Sequence, residues 1–120
     1  MAEFMTGLKR TNYCGSLRIE DCGKKVTVFG WVQRQRDLGQ LIFIDLRDRT
    51  GILQLALDDT TDKAVFEKAA AVKSEYVLGV VGTVRERSAK TNKIATGDVE
   101  IAVEELRILG ESETPPFEIV

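Results

Sequence analysis

The run from Lys25 to Arg36 constrains the fold of this chain more than any other feature. It reads KVTVFGWVQRQR and is rich in β-branched and aromatic side chains, which favour a β-strand. A glycine inside a strand often marks a bulge or a sharp bend, so Gly30 predicts one here. A long, bent first strand is what a small β-barrel needs in order to close on itself.

The elements after this strand follow in a simple order. Alternating apolar and polar residues predict two strands around the turn Asp48-Arg-Thr-Gly51. Polar residues of N-cap type at 58–62 then introduce a stretch with one apolar side, which predicts a helix. After the first strand, the predicted elements are strands at 41–47 and 52–57, a helix at 63–72, and strands at 76–87 and 99–109.

Three strands, a helix and two more strands predict an all-β fold with one helix. We expect a five-stranded, partly open Greek-key barrel of the OB-fold type, whose helix lies between strands 3 and 4. Residues 1–24 are expected to be an N-terminal extension with a short helical or turn segment around 18–22, and residues 25–109 the OB-fold domain. Residues 110–120, with the composition of a linker, are expected to lead towards a further domain.

Composition excludes several classes of function. The chain has no histidine and two cysteines, so it lacks the commonest general base and cannot supply four zinc ligands of the usual kind. We therefore expect no metal site and no catalytic residue. No apolar run reaches the roughly 18 residues of a membrane span, and no secretory signal is recognisable, so we expect a cytoplasmic protein.

The net charge of −2 hides an uneven distribution. Seven acids and one base lie from Asp98 onward, so this segment carries −6 and residues 1–97 carry +4. Overall charge affects association but does not decide what a local site binds. A nucleic-acid site on the basic part of the chain is therefore compatible with the composition.

Two side chains mark a candidate site on the predicted hairpin. Successive residues of a strand face opposite sides, and the uniformly aliphatic faces of the second and third strands belong in the core. Phe43 and Gln54 then lie on the outer surface, where OB-folds receive oligonucleotides. A phenyl ring can stack on an unpaired base, and an amide can read a base edge. The alternative is that Phe43 is ordinary core or covers a flank of the barrel.

Basic side chains gather at strand ends and turns near this surface. Such clusters beside an aromatic ring suit phosphate and guanine contacts, and Glu100 on the fifth strand could accept from a cytosine amino group. The alternative is a solvated rim that pairs with Asp37, Asp45, Asp48 and Glu86. The arginines are Arg34, Arg36, Arg47, Arg49, Arg85 and Arg87.

The string from Gly30 to Gln54 closely resembles the anticodon-binding domain of bacterial aspartyl-tRNA synthetases. Its part RDLGQLIFIDLRDR, residues 36–49, is highly specific to that family. The supporting segments RTNYCG at 10–15, GTVRER at 82–87, ATGDVE at 95–100 and TPPF at 114–117 follow in the family's order. The resemblance thus covers almost the whole chain from Arg10.

This resemblance implies a role for each matching residue. Phe43 corresponds to the aromatic that stacks on the middle anticodon base, a uridine, and Gln54 to the glutamine that hydrogen-bonds the same base. Glu100 corresponds to a carboxylate of the anticodon pocket. Leu38 stands at a turn position linked to the separation of aspartate from asparagine tRNAs. Basic positions around the anticodon loop match Arg34, Arg36, Arg85 and Arg87.

The partner implied is the anticodon loop of tRNA-Asp, with anticodon GUC. The parent enzyme, an aspartate–tRNA ligase, would use ATP and Mg²⁺ and form a homodimer, whereas these 120 residues are expected to be monomeric, cofactor-free and without a catalytic site. The alternatives are a freestanding OB module that binds single strands without reading sequence, and a metal-dependent hydrolase, which would need clustered carboxylates.

Overall fold

The structure, a computed structural model, describes residues 10–87, 90–94 and 96–110. Within these residues the chain forms five strands and one α-helix, in the predicted order, after two short 3-10 helices at Cys14–Ser16 and Ile19–Asp21. The elements are β1 (Lys25–Asp37), β2 (Ile42–Asp48), β3 (Gly51–Leu57), α1 (Lys63–Ala71), β4 (Val77–Glu86) and β5 (Val99–Gly110). The predicted all-β fold with one helix is confirmed, with boundaries shifted by a residue at several ends.

The five strands form a closed barrel in the order β1-β2-β3-β5-β4. All neighbours are antiparallel except β3 and β5, which run parallel. The expectation of a partly open barrel is therefore wrong, because β3 and β5 pair at Gln54–Ala56 and close the remaining gap. Closure leaves no free strand edge along this part of the sheet.

The pairing irregularity of β1 lies beyond Gly30, the residue at which the sequence predicted a bulge or sharp bend. The pairing of β1 with β2 shifts register between Val32 and Arg34, two residues beyond Gly30. Gly30 has a different role: a Cβ atom there would lie 2.4 Å from the carbonyl oxygen of Arg47. Glycine is needed at this position so that β1 and β2 can approach closely.

Helix α1 covers one end of the barrel. The Asp62 carboxylate accepts hydrogen bonds from the backbone N–H groups of Ala64 and Val65, which confirms the predicted N-cap. At the other end of the helix the Gln35 amide donates to the carbonyl oxygen of Ala69 at 3.1 Å. The helix ends at Ala71, one residue before the predicted end, and its Ala69 is fully buried.

The segment before β1 packs under the β2–β3 hairpin. Cys14 and Leu17 are fully buried members of the barrel core. The carboxylate of Asp48, at the end of β2, accepts from the Cys14 backbone N–H at 2.7 Å. A Cβ atom on Gly15 would lie 2.1 Å from the Thr50 carbonyl oxygen, so glycine allows this close approach. Burial raises the pKa of the Cys14 thiol well above its usual value, and the neighbouring Asp48 carboxylate adds to the shift.

Candidate nucleic-acid interface

One row of polar side chains crosses all five strands on the outer surface of the barrel. Each residue of the row is the register partner of the next: Arg34 on β1, Asp45 on β2, Gln54 on β3, Glu100 on β5 and Arg85 on β4. Directly paired residues point to the same side of a sheet. The row therefore brings together four of the residues that the sequence singled out.

A second row runs beside the first and carries the aromatic ring. Phe43 pairs with Arg36 on one side and with Ala56 on the other, and Ala56 pairs with Ala102. Because alanine side chains are small, the outer surface of the sheet is depressed beside the Phe43 ring. Phe43 is half-buried and lies on the same face as Gln54, as predicted. The alternative that this ring belongs to the barrel core is wrong, because the core of β2 consists of Ile42, Ile44 and Leu46.

The irregularity in β1 is what turns both arginines of that strand outward. Val28 and Val32 face the core, so unbroken alternation would place Gln33 and Gln35 outside and Arg34 inside. The register shift after Val32 reverses this phase, as a bulge does. Arg34 is exposed, and Gln35 turns towards the C-terminal end of α1 instead.

A continuous series of side-chain contacts runs from Phe43 to Glu100. The Arg36 guanidinium lies over the Phe43 ring, 5.1 Å from its centroid, and Arg36 Nη2 donates to Gln54 Oε1 at 3.0 Å. Gln54 Nε2 donates to Glu100 Oε1 at 2.8 Å, and Arg85 Nε donates to Glu100 Oε2 at 2.7 Å. Gln54 is 4% and Glu100 7% exposed. The expectation that Gln54 and Glu100 lie open on the surface is therefore wrong, because their neighbours in the rows cover them.

These contacts fix the orientation of the Gln54 amide. An ionised carboxylate only accepts hydrogen bonds and a guanidinium only donates them. The amide NH₂ group must therefore face Glu100, and its oxygen must face Arg36. Each end of an amide can make two hydrogen bonds and has used one in these contacts. Gln54 thus keeps one donor and one acceptor, in a fixed arrangement, for a ligand.

Asp58 extends the network beyond the strands. Its Oδ2 lies 3.6 Å from Arg85 Nη2. Hydrogen bonds from the Thr60 hydroxyl and backbone N–H lower the pKa of Asp58, and the nearby Arg85 cation lowers it further. The sequence pattern places Asp58 only among the N-cap residue types at 58–62. The missing signal is long-range, because Asp58 meets Arg85 only once β3 and β4 are placed by the barrel.

Arg34 stands at one end of the first row, and Leu38 and Arg87 lie outside both rows. The Arg34 side chain makes no hydrogen bond or ion pair within the described residues. Leu38 is 64% exposed in the β1–β2 turn, next to Gly39, whose φ of +93° favours glycine. Arg87 follows β4; its backbone N–H donates to Asp98 O at 2.9 Å, and its buried Nε has no hydrogen-bond partner among the described residues.

The four acids that the sequence suggested as partners of a solvated basic rim make different kinds of contact. Asp45 Oδ1 lies 3.9 Å from Arg36 Nη2, and Glu86 pairs with Lys90. Asp37 accepts from the Gly39 backbone N–H, and Asp48 from the N-terminal segment, so neither pairs with an arginine of the rows. Asp45 belongs to the candidate site, and its spacing of two residues from Phe43 on one strand is the signal that could have shown this.

The described residues contain no group of three or more His, Cys, Asp or Glu side chains that could hold a metal ion. None of the helices in residues 10–87, 90–94 and 96–110 is long and apolar enough to cross a membrane.

A closed five-stranded barrel with a helix after the third strand and a polar, aromatic outer face is typical of nucleic-acid-binding OB-folds. The family model named tRNA anti-codon, described as an OB-fold nucleic acid binding domain, matches residues 26–109. The chain belongs to this family.

The curated relatives are more specific. The chain is 54% identical over 121 residues to the aspartate–tRNA ligase of Ruminiclostridium cellulolyticum and 53% identical over 121 residues to the aspartate–tRNA(Asp/Asn) ligase of Thermoanaerobacter sp. (strain X514). Each match covers 99% of this chain and 20% of the relative, so the chain spans about a fifth of their length. The resemblance found in the sequence is confirmed.

A solved structure agrees with this assignment. The asparaginyl-tRNA synthetase from Pyrococcus horikoshii superposes on the chain with a TM-score of 0.71 and 31% sequence identity. The superposition covers 92% of this chain and 24% of the synthetase.

Proposed function

We propose that this chain binds tRNA and reads the anticodon GUC of tRNA-Asp on behalf of an aspartate–tRNA ligase. The observation that carries the proposal is the covered pair Gln54 and Glu100 beside the half-buried Phe43 ring. Buried polar groups with fixed orientation provide a defined set of donors and acceptors, which a sequence reader needs. The high identity to aspartate–tRNA ligases supports the choice of tRNA.

The middle anticodon base is the one that Phe43 and Gln54 suit. A uridine stacked on the ring presents an N3–H donor and carbonyl acceptors at its edge. The free lone pair on Gln54 Oε1 and the free N–H on Nε2 match that pattern. A flat ring and a fixed amide on one face of the sheet thus select a pyrimidine that carries its donor at N3.

Charged residues in and beside the rows contact the nucleotides on either side of the uridine. The Glu100 carboxylate can accept from the N4 amino group of cytosine, the last base of GUC. Arg34, Arg36, Arg85 and Arg87 supply phosphate and guanine contacts. Arg36 covers the ring of Phe43 here, so a base must either use the other face of the ring or displace this guanidinium. Its release would provide a cation for the incoming strand.

Leu38 is proposed to affect the choice between aspartate and asparagine tRNAs. It is exposed in the β1–β2 turn, beside the end of β1 that carries Arg36. The two relatives differ in the tRNAs that their names include, aspartate in one and both in the other. A turn at the margin of the reading face can change such a preference without altering the rows.

Attachment of aspartate to tRNA is proposed for the whole protein, in the cytoplasm and as a homodimer. The resemblance implies ATP and Mg²⁺ for that reaction. The described residues offer no carboxylate cluster for a magnesium ion, so they do not fit this group. What these residues contribute is recognition of the tRNA.

Titration of an aspartate-tRNA anticodon stem-loop tests the proposal. Phe43→Ala is expected to weaken binding by roughly 1–3 kcal/mol, because one base–aromatic stack is lost. Ala56, Ala102 and the hydrogen bonds of Gln54 remain, so the variant should keep its fold. Lys63→Ala, an exposed substitution in α1, is the control and should bind like the wild type. Equal affinities of the wild type and the Phe43 variant would discard the stacking role, and equal affinity for any pyrimidine-rich strand would favour a non-specific binder.

A further inference from the structure

A second concave site lies on the outer surface, next to the row of Arg34 and Asp45 but outside both rows. It is a cavity of about 510 Å³ between β1, the β2–β3 hairpin and the loop before β4. Trp31, Gln33, Arg47 and Arg49 line one side, and Ser74 and Glu75 the other. None of these side chains takes part in the network around Gln54.

The cavity continues the surface of the proposed RNA site. Arg47 follows Phe43 and Asp45 on the outer face of β2 and is the register partner of Trp31. Four residues along a strand correspond to roughly 13 Å. A trinucleotide centred on Phe43 has one nucleotide on each side of the middle base, and the row that contains Arg34 and Asp45 lies between Phe43 and Arg47. A longer RNA crossing the same face would reach the cavity.

The chemistry of the cavity is that of an aromatic ring beside cations. Trp31 packs against the buried cluster of Phe29, Val77 and Leu109, which holds the indole in place. Arg47 Nη1 donates to Gln33 Oε1 at 2.8 Å, and both side chains are exposed at the rim. A held ring and a rim cation suit a base and its phosphate.

Arginine side chains around the Tyr13 ring bring further positive charge next to Trp31. The guanidinium of Arg49 lies 5.2 Å from the centroid of the Tyr13 ring, and that of Arg10 lies 4.4 Å from the same centroid. The Asp48 carboxylate, which also borders the cavity, is occupied by the backbone N–H groups of Cys14 and Thr50 and by the Thr50 hydroxyl. Asp48 and Glu75 balance Arg47 and Arg49 in the lining, and Arg10, which borders Trp31 and Arg49, adds a third cation at its edge.

The lip of the cavity is held in a strained conformation. Glu75 has φ of +73°, which is costly for a residue with a side chain. Its backbone N–H donates to the Val32 carbonyl oxygen at 2.7 Å, and the Val32 N–H donates to the Tyr76 carbonyl oxygen at 2.7 Å. These two bonds fix the loop against β1 where the register shifts. The cavity is thus formed before any ligand arrives.

We propose that this cavity is a second nucleotide subsite for the same RNA. It takes an unpaired base against Trp31 and the attached phosphate at Arg47 and Arg49, while the middle anticodon base stacks on Phe43. The inference rests on the proposed function, since it is that RNA which crosses from one site to the other.

Trp31 is the single tryptophan of the chain, so its fluorescence reports on this cavity alone. The experiment titrates the unmodified protein with the trinucleotide GUC and, separately, with the aspartate-tRNA anticodon stem-loop. Calorimetry follows binding while tryptophan emission is recorded. Both RNAs should bind, but only the stem-loop should quench and shift the emission of Trp31.

Arg47→Gln separates the two sites, because it removes a cation and keeps a polar side chain of similar length. The slope of log affinity against log salt for the stem-loop should fall in magnitude by about 0.7, the value for one phosphate contact on a single strand. Affinity for the trinucleotide should not change. Lys25→Gln, an exposed charge removal at the other end of β1, is the matched control and should leave both values unaltered.

Trp31→Leu should weaken stem-loop binding at least about fivefold, the low end for one stacked base. Because that ring also packs against a buried cluster, Arg47→Gln decides the matter if the Trp31 variant does not fold. Stem-loop binding without any change in emission, or an unaltered salt slope in Arg47→Gln, would overturn the subsite and leave the proposed function standing. Failure of both RNAs to bind would instead overturn the proposed function.

Discussion

Two buried carboxylates on this barrel differ in what binds them. Asp48 is 8% and Glu100 7% exposed, so burial does not distinguish them. Asp48 accepts from the backbone N–H groups of Cys14 and Thr50 and from the Thr50 hydroxyl. Among the residues that the structure describes, Glu100 accepts only from side chains, the Gln54 amide and the Arg85 guanidinium.

The difference separates a structural carboxylate from one available for recognition. Backbone donors cannot leave without unfolding the segment that carries them, so Asp48 joins the N-terminal segment to the hairpin. Side-chain donors can rotate away and yield their place to a base. Buried carboxylates in a β-barrel are therefore better classified by the kind of donor they have than by their burial.

The largest expected effect is on stability, at Asp48. Asp48→Ala leaves two backbone N–H groups without their charged acceptor, and we expect the free energy of unfolding to fall by about 3 kcal/mol or more. Asp45→Ala is the matched control on the same strand; its 3.9 Å contact with Arg36 is partly exposed, so the loss should stay below about 1 kcal/mol. Urea unfolding monitored by circular dichroism measures both, and similar losses would remove the distinction.

A smaller effect is expected at Glu100, and on binding rather than folding. Glu100→Gln should weaken anticodon stem-loop binding by roughly 1–3 kcal/mol, the value of one base-edge contact. Its cost in stability should stay below about 1 kcal/mol, because Arg85 is partly exposed and keeps Asp58 as a partner. Titration and urea unfolding of the same variant give the two numbers. A variant that loses stability and keeps its RNA affinity would mean that Glu100, like Asp48, is a structural carboxylate.

The smallest effect is a pH dependence at Asp58. Its pKa is lowered in the folded chain by the Thr60 hydrogen bonds and by Arg85, so its contribution is present above the ordinary value of 3.8 and is lost as the pH falls through the lowered pKa. Asp58→Asn should cost less than about 1 kcal/mol at pH 7, since the ion pair with Arg85 is partly exposed. Unfolding curves of wild type and variant should converge at low pH. A constant difference across the pH range would show that the ionised form contributes nothing.

The sequence predicted the order of elements because each has a strong local signal. Alternation in β2 and β3, the N-cap at Asp62 and the glycine of the hairpin turn all act within a few residues. The outward position of Phe43 follows from the same alternation. These parts of the fold needed no knowledge of distant contacts.

What the sequence could not predict depends on pairings between distant strands. Closure of the barrel requires the parallel contact of Gln54 with Glu100, which are 46 residues apart. The same contact buries both side chains, so their exposure was misjudged. The register shift after Val32 has no glycine to mark it, and Gly30, two residues earlier, allows the close approach of β2 instead. Arg34 and Arg36 reach the outer face only because the strand reverses its phase before them, which no local pattern in the sequence shows.

The most direct test of the account compares two stem-loops that differ only at the middle anticodon base, uridine in one and cytosine in the other. Cytosine has the same size and stacks on Phe43 equally well, but it lacks the N3–H that Gln54 Oε1 is free to accept. The affinity of the wild-type chain should be roughly 10-fold higher for uridine, within the usual value of one base-edge contact. Equal affinities would mean that Gln54 does not read this base, and the account of the surface as a sequence reader would be wrong.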